Sequence, residues 1–155
     1  MKTLALFALL LAGSLTTLTA QTPPDRDALL KGDETSQAAY AEESGYPSPK
    51  LALNAAVELE LTSVQKKDIQ KIYDELIERA RQLGKQIVRI EEEMRNAFRD
   101  GLVTEKSVTA DVQEIAKLRG RLRTVYLVAH LKTRSELTRE QVRIYMKIKP
   151  GTSKG

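Results

Sequence analysis

From Ile69 to Ala97 apolar residues recur at steps of three and four: Ile69, Ile72, Leu76, Ala80, Leu83, Ile87, Ile90, Met94 and Ala97. That spacing keeps one face of a helix apolar and leaves the other to water. It predicts a single helix over 63–99, about 55 Å long at 1.5 Å per residue, with one phase slip near Leu76. Gly84 weakens its middle and permits a bend. A second seam follows with Val108, Val112, Ile115, Leu118, Leu122, Val125 and Ala129, and this helix extends to about Glu136. Only Asp100 to Thr104 separates the two. Gly101 suits the left-handed position just past a helix end, and Thr104 can cap the next helix. So short a connection folds the two helices back as an antiparallel hairpin. The expected fold class is therefore all-α: a long antiparallel helical hairpin with short flanking helices.

The same five-residue pattern, Leu-Thr-x-x-Gln, stands before one helix and after the other. It reads LTSVQ from Leu61 to Gln65 and LTREQ from Leu137 to Gln141. A threonine at an N-cap accepts a hydrogen bond from the N–H three residues on, and a glutamine there returns one to the threonine N–H. The leading Leu61 and Leu137 can staple onto the first turn. Thr62 and Gln65 thus start the first long helix, and Thr138 and Gln141 start a last helix to about Lys147. Because the long helices are similar in length, both motifs are expected near one another, at the end away from Gly101.

The remaining segments are shorter. Lys2, the apolar run Leu4 to Leu11 and the small residues Gly13 to Ala20 have the layout of a secretory signal peptide cut after Ala20. That implies export. Residues 21–47 form an acidic, polar lead-in, in which Asp33 to Glu43 is compatible with a short helix ending at Gly45. Ser48 and Pro49 suit a helix start. The helix they begin is expected to run to Glu58, with Leu51, Leu53 and Val57 inward. The helical domain then spans 48–149, and 150–155 are a loose tail. The chain has no cysteine, so it has no disulfide, no thiolate ligand and no thiol nucleophile. A small exported domain without staples usually gains stability from long helix packing or dimerisation.

The signal peptide, the two Leu-Thr-x-x-Gln motifs and the hairpin between them resemble the Spy/CpxP family of bacterial periplasmic proteins. GYPSP ahead of a short helix, and RLRTVYLVAHLKTRSELTREQ, resemble members described as periplasmic heavy-metal sensors. The resemblance covers Gly45 to Lys149. It implies a thin helical protomer that dimerises into a curved cradle. It also implies one of three occupations: an ATP-independent chaperone, a modulator of a sensor kinase, or a binder of zinc, nickel or cobalt.

The residues themselves narrow these. The mature chain has one histidine, His130, with no second histidine three or four residues away. Glu91, Glu92 and Glu93 are consecutive and point in different directions around a helix. Neither pattern is a metal site, so no metal and no cofactor is expected. No glycine-rich phosphate loop and no nucleophile with a histidine partner is present, and an enzyme is not expected. Charge says more. Lys117 to Lys149 contains ten basic and two acidic residues, whereas Gln21 to Glu60 contains three basic and eight acidic. The basic half attracts acidic partners; a signal peptide argues against nucleic acid. Within it, Val125 to Leu131 is apolar on nearly every side. Tyr126, Leu127 and Leu131, flanked by Arg119, Arg123, Lys132 and Arg134, are the candidate surface for unfolding envelope proteins. Charge speeds capture and apolar contact retains a client without demanding one sequence. The alternative is a regulator, metal-responsive or not, that docks on a sensor kinase or anti-sigma ectodomain. A purely structural coiled coil is a third reading.

Overall fold

The computed structural model describes residues 23–33 and 38–148. The expected signal peptide, six residues of the acidic lead-in (21, 22 and 34–37), Lys149 and the tail lie outside the described residues. Among those described there are six helices and no strand: α1 (Arg26–Lys31), α2 (Ala39–Glu43), α3 (Pro49–Asn54), α4 (Ser63–Arg99), α5 (Glu105–Glu136) and α6 (Arg139–Ile148). The fold is a long antiparallel hairpin, α4 against α5, with the shorter helices laid along it.

The hairpin turn is built as the Asp-Gly pair suggests. Gly101 takes φ 69°, its N–H donates to the Phe98 carbonyl at 3.2 Å, and the Leu102 N–H donates to the Ala97 carbonyl at 2.9 Å. This pair of bonds closes the last turn of α4 and satisfies carbonyls left over at a helix end. Thr104 then caps α5. Its Oγ1 accepts from the Ser107 N–H at 3.1 Å, and the Ser107 Oγ accepts from the Thr104 N–H at 3.0 Å.

Burial is uneven along the hairpin. Leu76, Ala80, Ile87, Val88 and Ile90 of α4 meet Ile115, Leu118, Leu122, Tyr126 and Ala129 of α5 in one core, joined by Leu29 of α1. A second core at the open end gathers Ala52, Leu59, Leu61, Ile69, Leu137 and Tyr145. Toward Gly101 the seam thins: Val112 and Phe98 are about half exposed and Leu102 is 76% exposed. The difference follows the flanking helices, which cover the hairpin only where these two cores lie.

Three local expectations change. The α-helix begun by Ser48, whose Oγ accepts from the Leu51 N–H at 3.3 Å, ends at Asn54 rather than Glu58. The chain winds on through turns to Glu60, which takes a left-handed φ of 50°. The buried stripe is Ala52 and Leu59, both inaccessible to solvent, while Val57 is 82% exposed. Of the residues expected inward, Leu51 and Leu53 pack half-buried against the core of Tyr145 and Ile69; Val57 does not, because the turns after Asn54 carry the chain out of the helical phase. The lead-in carries α2 over Ala39–Glu43, and an earlier helix, α1, that apolar spacing did not reveal. Finally, α4 runs unbroken through Gly84. A Cβ placed there would stand 2.1 Å from the Leu29 carbonyl oxygen. Glycine serves here to let the α1 backbone lie directly on α4.

Candidate functional site

The two Leu-Thr-x-x-Gln motifs meet. Each forms its own capping box: Gln65 N–H to Thr62 Oγ1 at 3.2 Å with Thr62 N–H to Gln65 Oε1 at 3.0 Å, and Gln141 N–H to Thr138 Oγ1 at 3.2 Å with Thr138 N–H to Gln141 Oε1 at 2.9 Å. The two side-chain amides then bond each other in both directions. Gln65 Nε2 donates to Gln141 Oε1 at 2.8 Å, and Gln141 Nε2 donates to Gln65 Oε1 at 3.0 Å. The second N–H of each amide reaches a backbone carbonyl, Glu136 for Gln65 (2.7 Å) and Leu59 for Gln141 (3.1 Å). Every donor and two acceptor positions on each amide are thereby used. Serine or threonine alone caps a helix; a glutamine long enough to reach its counterpart is what ties two helix starts together. Leu61 and Leu137 lie buried beneath this clasp. It is a structural device, and it closes the open end of the hairpin.

The candidate surface on α5 divides into two faces. One stripe, Arg119, Arg123, Tyr126 and His130, lies under the acidic lead-in. Arg119 holds Asp25 through two parallel hydrogen bonds, of 2.8 and 3.1 Å. The Arg123 guanidinium stands 5.7 Å from the centre of the Tyr40 ring, within cation–π range. The Tyr126 hydroxyl donates toward the Gly32 and Asp33 carbonyls at 3.2 and 2.9 Å. His130 Nδ1 lies 2.7 Å from the Tyr46 carbonyl oxygen. Tyr126 is only 2% exposed. It belongs to the core and does not form part of an exposed apolar patch, because α1 and the residues after it cover the face it points to. His130 is likewise buried. No group of three or more His, Cys, Asp or Glu residues able to hold a metal occurs among the described residues. In the acidic triplet, Glu92 pairs with Arg26 at 3.0 Å and Glu93 with Arg89 at 3.7 Å.

The other face of α5 is open. Leu131 is 57% and Val128 40% exposed. Lys132 reaches Glu75 across the hairpin at 3.5 Å. Beneath that pair lies a shallow cleft of ≈ 100 Å³ floored by Ile72, Val125 and Val128, below the ~300 Å³ at which small-molecule sites usually begin. Leu127 is partly buried against the core, and Arg134 turns back to the Leu137 carbonyl at 3.3 Å. Of the candidates, Leu131 and Lys132 therefore lie on the open face, whereas Arg123, although exposed, stands beside Tyr40 on the face under the lead-in. Arg119 is shielded by Asp25, and Leu127 and Arg134 are engaged in packing and helix closure.

Electrostatics follows these pairings. The Arg119 guanidinium, hydrogen-bonded to Asp25, holds that carboxyl below the usual aspartate range despite partial burial. The same bond raises Arg119.

Asp25 and Gly84 are the contributors that sequence reasoning missed. The opposed charges of lead-in and α5 were the signal for Asp25. For Gly84 it was the Ala80-x-x-x-Gly84 spacing, which puts two small residues on one side of α4. Comparison of the chain with protein-family models, with curated proteins and with solved structures found no match.

Proposed function

We propose that the chain is an exported, ATP-independent chaperone or envelope-stress adaptor of the Spy/CpxP kind, active as a homodimer. It holds unfolding proteins on an apolar and basic helical surface. Binding rather than bond-making is the mechanism. The observation that carries this reading is the outer face of α5. From Lys117 to Ser135 there is no acidic residue, and exposed Val128 and Leu131 stand beside exposed Arg121 and Lys132. Such a surface attracts acidic chain segments over long range and retains them by non-directional apolar contact.

The reading is tested by aggregation of an unrelated protein during thermal unfolding. Near-stoichiometric amounts of this chain should suppress it without ATP, and Leu131→Asp should weaken the suppression. No suppression at several-fold excess refutes the proposal. Saturable binding to one sensor ectodomain in the same preparation would then favour the regulator reading.

A further inference from the structure

The lead-in does more than shield charge. Residues 23–33 lie in a groove whose floor is Ala80 and Gly84 of α4 and whose walls include Ile87, Leu118 and Leu122. Leu29 fills the groove, 3% exposed, and its backbone rests on Gly84. The hairpin offers four polar contacts around it. Arg119 takes the Asp25 carboxylate and Glu92 takes Arg26. Arg81 donates to the Lys31 carbonyl at 3.0 Å, and Tyr126 donates to the Gly32 and Asp33 carbonyls. Arg81 and Tyr126 thus read only backbone, which any polypeptide supplies. What they leave to the side chains is chiefly a carboxylate and, one helical turn later, a leucine.

We propose that this groove is a polypeptide-binding site held in cis by residues 23–33, and that in trans it takes a segment carrying a carboxylate one helical turn before a leucine. The proposal rests on the chaperone reading above and adds its regulation: the lead-in occupies part of the capture surface until it is displaced. The geometry favours exchange. α1 has six residues, far short of the roughly 12–15 at which an isolated helix becomes even marginal in water. It is folded by the groove rather than by itself. Its two ion pairs to the hairpin stay about one-third exposed, with side-chain exposures of 30–38%, so water can replace them. A tethered segment rebinds at high effective concentration, which keeps the groove closed until a competitor or a weakened strap opens it. Release uncovers Arg119 and Tyr126 together with Leu118 and Leu122, and so extends the basic and apolar face of α5 across the seam.

The test uses the full chain in two variants. Gly32→Cys with Ala80→Cys locks the strap: a Cβ at residue 32 meets the Ala80 Cβ at 3.4 Å, near the roughly 3.8 Å average of a disulfide, and the strain of a side chain at φ 69° acts on the oxidised and reduced forms alike, so these two are compared with each other. The chain has no other cysteine. Asp25→Asn with Leu29→Ala loosens the strap. The probe is a fluorescent peptide with the sequence Pro23 to Asp33, read by anisotropy. Aggregation of a disulfide-free reporter is followed in parallel. Because apparent affinity scales with the open fraction, the loosened variant should bind the peptide about tenfold or more tightly than the oxidised locked variant. Reducing the disulfide should restore binding, which also shows that the locked variant is folded. Equal binding to both variants, or binding to neither, overturns the proposal. Equal binding of a peptide with Asp25 and Leu29 exchanged overturns the carboxylate–leucine preference. Selective peptide binding with no aggregation suppression by any form keeps the groove and refutes the chaperone reading.

Discussion

The glutamine clasp can be measured as a pair. Gln141→Ala removes four hydrogen bonds: to the Leu59 carbonyl, from the Thr138 N–H, and two with Gln65. Leu59 is fully buried, so its carbonyl is orphaned away from water, at a cost of about 1–3 kcal/mol. Loss of half the capping box adds about 1 kcal/mol. The single substitution should therefore destabilise the chain by about 2–4 kcal/mol, a large part of the ~5–15 kcal/mol typical of a domain. Gln65 is only partly buried, and water can reach the groups it leaves behind. Gln65→Ala should cost less, about 1–2 kcal/mol. The two amide–amide bonds are lost in either single variant. The double variant should thus fall short of the sum by about 1–2 kcal/mol, two neutral hydrogen bonds at about 0.5–1.5 each with some solvent replacement. Urea unfolding followed by far-ultraviolet circular dichroism, at one protein concentration, measures all three. Additivity within about 0.5 kcal/mol would mean two separate caps that do not touch, and would refute the clasp.

Four further substitutions probe the rest. Leu59→Ala should cost about 2–5 kcal/mol by urea unfolding, whereas Val57→Ala, at an exposed site, should fall within about 0.5 kcal/mol; equal effects would contradict the observed helical phase. Gly84→Ala should raise the helix propensity of α4 by up to about 1 kcal/mol yet displace Leu29, so amides of 26–33 should exchange faster while those of α4 do not. Unchanged exchange in α1 would contradict the close approach. The Asp25 carboxyl, held low by Arg119, contributes stability that is full above the unfolded aspartate value of about 3.9 and lost as pH falls through the lower folded value. An NMR titration should show its midpoint below 3.9 and an Arg119→Gln variant should return it to about 3.9; a normal midpoint in the parent chain would contradict the pairing.

The hairpin was legible because its causes are local. Two seams at steps of three and four, an Asp-Gly stop and a threonine cap dictate two helices and the turn between them. Ser48, Thr62, Thr104 and Thr138 mark helix starts for the same reason: a capping bond spans three residues. Contacts between distant segments were less legible. The repeated motif indicated that Thr62 and Thr138 come together, but whether Gln65 and Gln141 touch depends on side-chain reach across 76 residues of chain. Gly84 read as a weakness because its partner, the Leu29 backbone, lies in a segment without apolar periodicity. Tyr126 read as a surface aromatic for the same reason, since the carbonyls of Gly32 and Asp33 that cover it leave no pattern in composition. Leu59 rather than Val57 turned inward because turns after Asn54 change the phase, and residue size does not report phase.

The most direct measurement is the footprint of a client. Backbone NMR resonances of the full chain would be followed during addition of an acid-rich, permanently unfolded polypeptide. Shifts or broadening concentrated at Arg121, Val128, Leu131 and Lys132 of α5 are expected, with weaker effects in residues 23–33 as the strap is displaced. No perturbation at saturating polypeptide, or a footprint confined to Phe98 and Leu102 at the hairpin turn, would contradict capture on the basic face of α5.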